Sequence, residues 1–320
     1  MKTAALLLAL IRAPAPSSDA QLVNVDVLVY EKDTGRLAEL LGPRDFVILD
    51  EGEPREVKTF QIETTSLDVV FLLYAKGYVR FAGDGNDVFA GLRQAIDELR
   101  PSDRGAILRS DTNAGGAVQL MEDKRKIDSR RVRQRGRVTP LGRGDRLYDA
   151  VACAMSLFPR PYDPMRRRAI IALTDDIERH SKTKLDALMA ELLEGGATLN
   201  SVVLVTGQPY ISTGGATIPI PRVTSRRIGG TNPPGVSTQP AVEATGGQTI
   251  PGDKSRAGLP EMLRRLHGRY LLGFQAPASD RRVFRKIEVR LTEEARKRYP
   301  SAVIRARTGY YTVEGAARQR

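Results

Sequence analysis

The chain has 320 residues, 41% apolar and 28% charged, with 50 Lys and Arg against 38 Asp and Glu and a formal charge of +12. That length accommodates one full domain and a smaller one. Cys153 is the only cysteine, which excludes a disulfide scaffold, and beyond the N-terminal run no segment reaches the roughly 18 apolar residues of a membrane helix.

Residues 1–20 open with one lysine and an apolar run from Thr3 to Ile11, then proline and small residues, with Ser18 and Ala20 placed like a cleavage site. This reads as a secretory signal, too short to span a bilayer, and it places the mature chain in the periplasm or outside the cell. Residues 21–65 alternate apolar and polar positions around turn signals, as an N-terminal β segment does. From 66 to 275 short apolar runs alternate with helical periods, the pattern of an α/β sheet.

Within that region DVVFLL, from Asp68, is a buried strand, and Val88, Leu92, Ile96 and Leu99 recur at helical spacing before Pro101. Gly105–Ser110 and Gly116–Met121 read as strands joined by a hairpin turn, which makes one of them antiparallel. Leu147, Val151, Ala154, Met155 and Phe158 mark a helix that Asp145 is placed to cap. Arg168–Thr174 is the next buried strand. Leu185, Leu188, Met189 and Leu192 mark a helix stopped by Gly195 and Gly196, and Thr198–Val205 follows as a strand.

Residues 206–239 are rich in Gly, Pro, Ser and Thr and too long for an ordinary connection, with a hairpin expected through Ala216–Val223. A helix carrying Leu259, Met262, Leu263 and Leu266 then leads into the strand RYLLGF. Residues 276–320 again read as β, and neither end has enough strands to bury a face alone. The fold expected is α/β, a doubly wound, mostly parallel sheet with one antiparallel strand. The N- and C-terminal segments add a small antiparallel β module by packing together.

The arginine-rich excess clusters at Lys124, Arg125, Lys126, Arg130, Arg131, Arg133, Arg135 and Arg137, and again at Arg166, Arg167 and Arg168. Such stretches form either a solvated basic face or a surface for a polyanion such as nucleic acid, anionic glycan or lipid. No aromatic residue is interleaved with them to stack on bases. Of two histidines, His180 reads as a solvated loop residue and His267 sits at a helix end. No nucleophile is tied to either, Cys153 lies in a helical pattern with nothing nearby to lower its pKa, and no glycine run ends as a phosphate loop does. The residues point to no enzyme and no cofactor.

The order and spacing of LGPRDFVILDEGEPREVKTF, DVVFLLYAKGYVR, RLYDAV, IIALTDD, EATGG, YLLGF, RKIEVRL and RARTGYY resemble bacterial VWFA-related proteins, whose core is a von Willebrand factor A domain. The resemblance covers nearly the whole mature chain. It implies a doubly wound sheet with its site at the C-terminal ends of the strands. That site is a metal-ion-dependent adhesion site built from an Asp-x-Ser-x-Ser loop, a threonine and a later aspartate. Those positions fall here on Tyr74, Lys76 and Tyr78, on Asp145 and on Asp175, with Asp176 where a glycine is common. Only Asp175 matches.

A protonated lysine has no lone pair for a metal. Either the Lys76 ammonium takes the cation's place between Asp145 and Asp175, or Lys76 points to solvent while Tyr74 and Tyr78 cover the sheet edge. A shifted cation on Asp145, Asp149, Asp175 and Asp176 is a further arrangement. The expected function is that of a secreted, non-catalytic protein-binding or scaffold protein with a degenerate metal site and no bound metal. Its partner surface is the rim with Tyr74 and Tyr78, the 206–239 loop or the basic face. Polyanion binding and metal-dependent adhesion are the alternatives.

Overall fold

The structure is a computed structural model that describes residues 21–62, 65–74, 85–110, 115–121, 127, 146–163, 165–174, 176–203, 210–213, 216–219, 237–251 and 255–313. The N-terminal strands are β1 (Leu22–Glu31), β2 (Phe46–Asp50), β3 (Glu53–Arg55) and β4 (Thr59–Ile62). The middle runs β5 (Leu67–Tyr74), α1 (Gly85–Asp97), β6 (Arg104–Ser110), β7 (Gly115–Met121), α2 (Leu147–Met155), β8 (Arg167–Thr174), α3 (Leu185–Glu194) and β9 (Ala197–Val203). Then come β10 (Tyr210–Thr213), β11 (Ala216–Pro219), α4 (Gln239–Ala244), β12 (Thr249–Pro251), α5 (Ser255–His267) and β13 (Tyr270–Gln275). The chain closes with β14 (Phe284–Leu291), α6 (Glu293–Arg298), β15 (Ala302–Arg305) and β16 (Gly309–Tyr311).

Six strands form the central sheet in the order β12-β9-β8-β5-β6-β7. All neighbours are parallel except β6 and β7, which pair as the expected antiparallel hairpin. Strands covered on both faces read as continuous apolar runs rather than alternations. That is why β5 and β8 are buried almost throughout. On one face α1 and α5 supply Leu92, Ile96, Leu259, Met262 and Leu263; on the other α2, α3 and α4 supply Val151, Met155, Leu188, Leu192 and Val242.

From β5 the chain steps to β6 on one side, and later to β8 on the other. The strand order therefore reverses between β5 and β8, and open sheets of this kind form a crevice at such a point, beyond the strands' carboxyl ends. Tyr74 and Thr174, the last residues of those two strands, are register partners at that point.

Both chain ends build a sandwich of two four-stranded antiparallel sheets, β15-β1-β13-β4 and β16-β14-β2-β3. Along β14 Ile287, Val289 and Leu291 alternate inward against exposed neighbours, to meet Val25, Val27, Ile48, Leu272 and Phe274 in the core. Here the structure corrects an expectation. The strand within RYLLGF, β13, does not join the parallel sheet; it pairs antiparallel with β1 and β4. Its run of apolar residues is buried on both sides, with Tyr270, Leu272 and Phe274 in the sandwich core, and so imitates a parallel strand. The sheet edge is taken instead by the three-residue β12.

The arginine triplet also differs from a solvated face, since Arg167 and Arg168 are buried. Arg269, fully buried, pairs with Asp26 at 3.0 Å and donates to the carbonyls of Asp26, Gly246 and Arg305. Arg167 reaches the same carboxylate at 3.4 Å. Sandwich and α/β unit thus share one buried ion cluster. The EATGG turn closes against it: Gly246 adopts a φ of +72°, and a Cβ there would lie 2.5 Å from the carbonyl carbon of Ala306.

The 206–239 region contains a hairpin of β10 and β11, a few residues earlier than expected. Its remaining residues up to 236, other than those two strands, lie outside the described residues.

Candidate functional site

The resemblance points to the carboxyl edge of the sheet, where β5 and β8 end. Tyr74 closes β5 with its ring buried among Leu72, Leu147 and Ala172. Its hydroxyl accepts the backbone N–H of Arg146, the residue that caps α2. A helix begins with N–H groups that lack intrahelical partners, and each needs an acceptor when buried. The tyrosine supplies one. It is only 7% exposed, so its ring is core rather than contact surface.

The loop after β8 supplies two more. The Tyr148 N–H donates to a Glu178 carboxylate oxygen at 2.9 Å, and the Asp149 N–H to the Ser181 hydroxyl at 3.1 Å. Glu178 in turn accepts from the Ser181 amide and hydroxyl. The acid and serine, three residues apart, fold the loop onto the helix start.

Asp149 faces back the other way. Its carboxylate accepts the amides of Lys182 (3.1 Å) and Thr183 (2.9 Å), and the Arg146 guanidinium (2.8 Å from Nε, 2.7 Å from Nη2). Burial alone would raise its pKa, but the Thr183 and Lys182 amides, the Thr183 hydroxyl and Arg146 outweigh that and hold it below the usual carboxylate value. Arg146 places a cation at this edge, on a residue the sequence pattern did not single out.

Asp176 occupies the position where a glycine is common, and the backbone explains that preference: its φ is +54°, in the left-handed region. Its amide donates to Thr174 Oγ1 at 2.9 Å. Its side chain accepts the Thr238 N–H (2.9 Å) and hydroxyl (2.7 Å), and its carbonyl accepts from the Ser237 hydroxyl. The acid thereby anchors the start of α4. Burial pushes its pKa up despite the bonds from Thr238 and Ser237. The Tyr148 hydroxyl completes the edge by donating to the Ser237 carbonyl.

Of the positions singled out by the sequence, the structure brings together Tyr74, Asp149 and Asp176 around one edge. Lys76, Tyr78, Asp145 and Asp175 lie outside the described residues, as do Lys124, Arg125, Lys126, Arg130, Arg131, Arg133, Arg135 and Arg137. The reading missed Arg146, Glu178, Ser181, Ser237 and Thr238. A signal existed for the last two, since Ser-Thr-Gln-Pro before an apolar stretch is a helix-start pattern. His180 is exposed in the loop. Burial raises the Cys153 thiol, with Ser156 acting against it, and so disfavours the thiolate.

A hard divalent cation needs several oxygen ligands converging on one point with an open position left for a partner. Among the described residues no three His, Cys, Asp or Glu groups converge in that way. Asp149 is engaged by two amides and a guanidinium, and Asp176 by Thr238. The described part of the edge does not fit the ion.

In strand order, antiparallel edge strand and helices on both faces, the α/β unit is a doubly wound, mostly parallel sheet. No protein-family model matches the chain, and no curated protein matches it. Solved structures similar to it include an aerotolerance-related membrane protein from Bacteroides fragilis NCTC 9343, at 14% identity over 62% of this chain and 98% of that one, with a TM-score of 0.43. Proximal thread matrix protein 1 from the mussel byssus is 9% identical over 62% of this chain and 48% of its own, with a TM-score of 0.42. The SpRpn10 VWA domain is 10% identical over 63% and 95%, with a TM-score of 0.36.

Proposed function

We propose that this protein is an exported, non-catalytic protein-binding scaffold whose A-type edge works without a metal ion. One observation supports the reading: at the crevice between β5 and β8 the described acids are engaged by the protein's own amides, hydroxyls and guanidinium, which tie the 176–183 loop to the starts of α2 and α4. In this reading the Lys76 ammonium stands between Asp145 and Asp175, and partner recognition rests on the loops of this edge rather than on captured metal. The leader-like residues 1–20 support export, and among the described residues no helix is long and apolar enough to cross a membrane.

The test is a thermal melt in chelator and then in millimolar magnesium, manganese or calcium, beside a Tyr74→Asp, Lys76→Ser, Tyr78→Ser triple variant. A ligand at 100 times its Kd adds about 2.7 kcal/mol, which raises the midpoint of a chain this size by several degrees. The wild type is expected not to respond. A rise in its Tm with any of the three ions refutes metal independence, and a rise in the variant alone shows that substitution removed an A-type metal site.

A further inference from the structure

At the amino end of the same sheet, where β8 and β9 begin, a cavity of about 240 Å³ lies between the α/β unit and the sandwich. Four arginines line it, Arg166, Arg167, Arg168 and Arg307, against two acids, Asp26 and Glu194. Neither acid serves the whole set. Asp26 is shared by Arg167 and Arg269, and Glu194 pairs with Arg282 at 2.5 Å. Arg166 is held by Asp68 at 2.7 Å. That leaves Arg168 and Arg307, whose hydrogen bonds among the described residues all go to backbone carbonyls.

Arg168 donates to the carbonyls of Gly195 (2.6 Å) and Asp163 (3.0 Å) and lies 4.6 Å from the Tyr162 ring centre. Arg307 donates to the carbonyls of Gly309 (2.8 Å), Asn24 (3.5 Å) and Leu193. Two of these carbonyls end α3, and cations at a helix C-terminus are an ordinary stabilising device. Capping accounts for one contact of each guanidinium, and the Gly309 and Asn24 carbonyls engage Arg307 further through Nε and Nη1. These bonds do not account for two like charges lining one cavity with donors to spare, since a guanidinium carries five N–H groups in a planar fork. Burial, and then the neighbouring Arg168, push the Arg307 pKa down to about 10, and burial lowers that of Arg168 as well, although Tyr162, Asp68 and Asp163 act against it. A negative group between them would relieve both.

We propose that this cavity binds a small oxyanion, a phosphate or carboxylate group, between the guanidiniums of Arg168 and Arg307. Planar forks of this kind hold either group through paired charge-assisted hydrogen bonds. The volume suits an ion or a short acid, being below the roughly 300 Å³ at which drug-sized pockets begin. The site is separate from the carboxyl edge and does not depend on the function proposed for it.

The experiment is calorimetric titration of the full chain with sodium phosphate and, separately, sodium succinate, each balanced with sodium chloride to constant ionic strength. A saturable heat and a Tm rise of several degrees are expected with at least one of them. Phosphate alone assigns a phosphoryl ligand and succinate alone a carboxylate. Arg168→Gln and Arg307→Gln should each weaken binding at least about tenfold, the loss of one charge-assisted contact. Arg307→Lys should recover part of it, and Arg290→Gln, on the exposed face of β14, should change nothing. No saturable heat with either anion in the wild type overturns the proposal even if the glutamine variants fail to fold. Equal binding by a folded Arg307→Gln protein overturns it too.

Discussion

Replacing Asp149 by alanine tests the claim that the carboxyl edge is held by its own side chains. The carboxylate is 9% exposed and accepts two loop amides and a guanidinium at 2.7–3.1 Å. A hydrogen bond to a charged group contributes about 1.5–3 kcal/mol net, and water admitted by the truncation recovers part of each. A loss of about 3 kcal/mol is therefore expected, and at about 2–4 °C per kcal/mol for a chain of this size the midpoint should fall by about 6–12 °C.

The pH dependence carries a sign. The Asp149 pKa is lowered in the folded protein, so its contribution is fully present above the unfolded value near ~3.9 and lost as pH falls through the folded value. Urea midpoints of the wild type should drop on that acid limb more steeply than those of Asp149→Ala. The assay is thermal and urea unfolding, run in chelator and again in magnesium. A fall of less than about 2 °C, against the about 6 °C minimum expected, refutes the reasoning. So does a difference between variant and wild type that appears only with magnesium, since that makes Asp149 a ligand.

Asp176→Asn should remove a pH dependence of opposite sign: its raised pKa means the folded state holds its proton more tightly, so the wild type loses stability as pH rises through the folded value while the asparagine variant does not, read from urea midpoints between about pH 3 and 7. Gly247→Ala should destabilise by more than about 4 kcal/mol, because a Cβ there would lie 1.8 Å from the Leu199 carbonyl oxygen, while Gly52→Ala, with open space around it and a φ of +87°, should cost only about 1 kcal/mol by the same assay. Arg269→Met should cost about 3–5 kcal/mol, since it strips a buried partner from Asp26, and hydrogen exchange should show loosened amides in β1 and β13 together.

What the sequence made legible follows from what each segment buries. Strands β5 and β8 lie between two helical layers, and a nearly unbroken apolar run satisfies both faces, so they stand out, whereas β9 buries Asn200 and Ser201 by hydrogen-bonding them. Strand β12 has one side chain, Ile250, packed against the core, and three residues with a single apolar member carry no period to read. The same burial logic misplaced β13, because Tyr270–Phe274 is covered on both sides whether by helices or by a sandwich and a neighbouring unit. The arginine triplet looked like solvated surface because its partners, Asp68, Asp26 and carbonyls at the ends of α3 and α5, are far away in the chain. At the carboxyl edge Tyr74, Asp149 and Asp176 were readable one by one. Their partners, Arg146 on Asp149 and Glu178 on the α2 amides, depend on a loop conformation that no spacing announces.

The two ends of the sheet are consequently in opposite electrostatic conditions. At the carboxyl edge these three acids have found partners: Asp149 has Arg146, Glu178 has amides and Ser181, and Asp176 has Thr238. Those hydrogen bonds tie the described 176–183 loop to the starts of α2 and α4. At the amino end Arg269 and Asp26 bind the sandwich down, and Arg168 and Arg307 both line the cavity beside this pair. Repulsion between two guanidiniums in a confined space is sustained only if the surroundings offset it, and backbone carbonyls offset it in part. The remaining imbalance lies beside the ion cluster that joins the two units. An anion entering there would therefore stabilise their junction as well as the local charges, and protection of the β1 and β13 amides from exchange should rise in phosphate or succinate in proportion to occupancy.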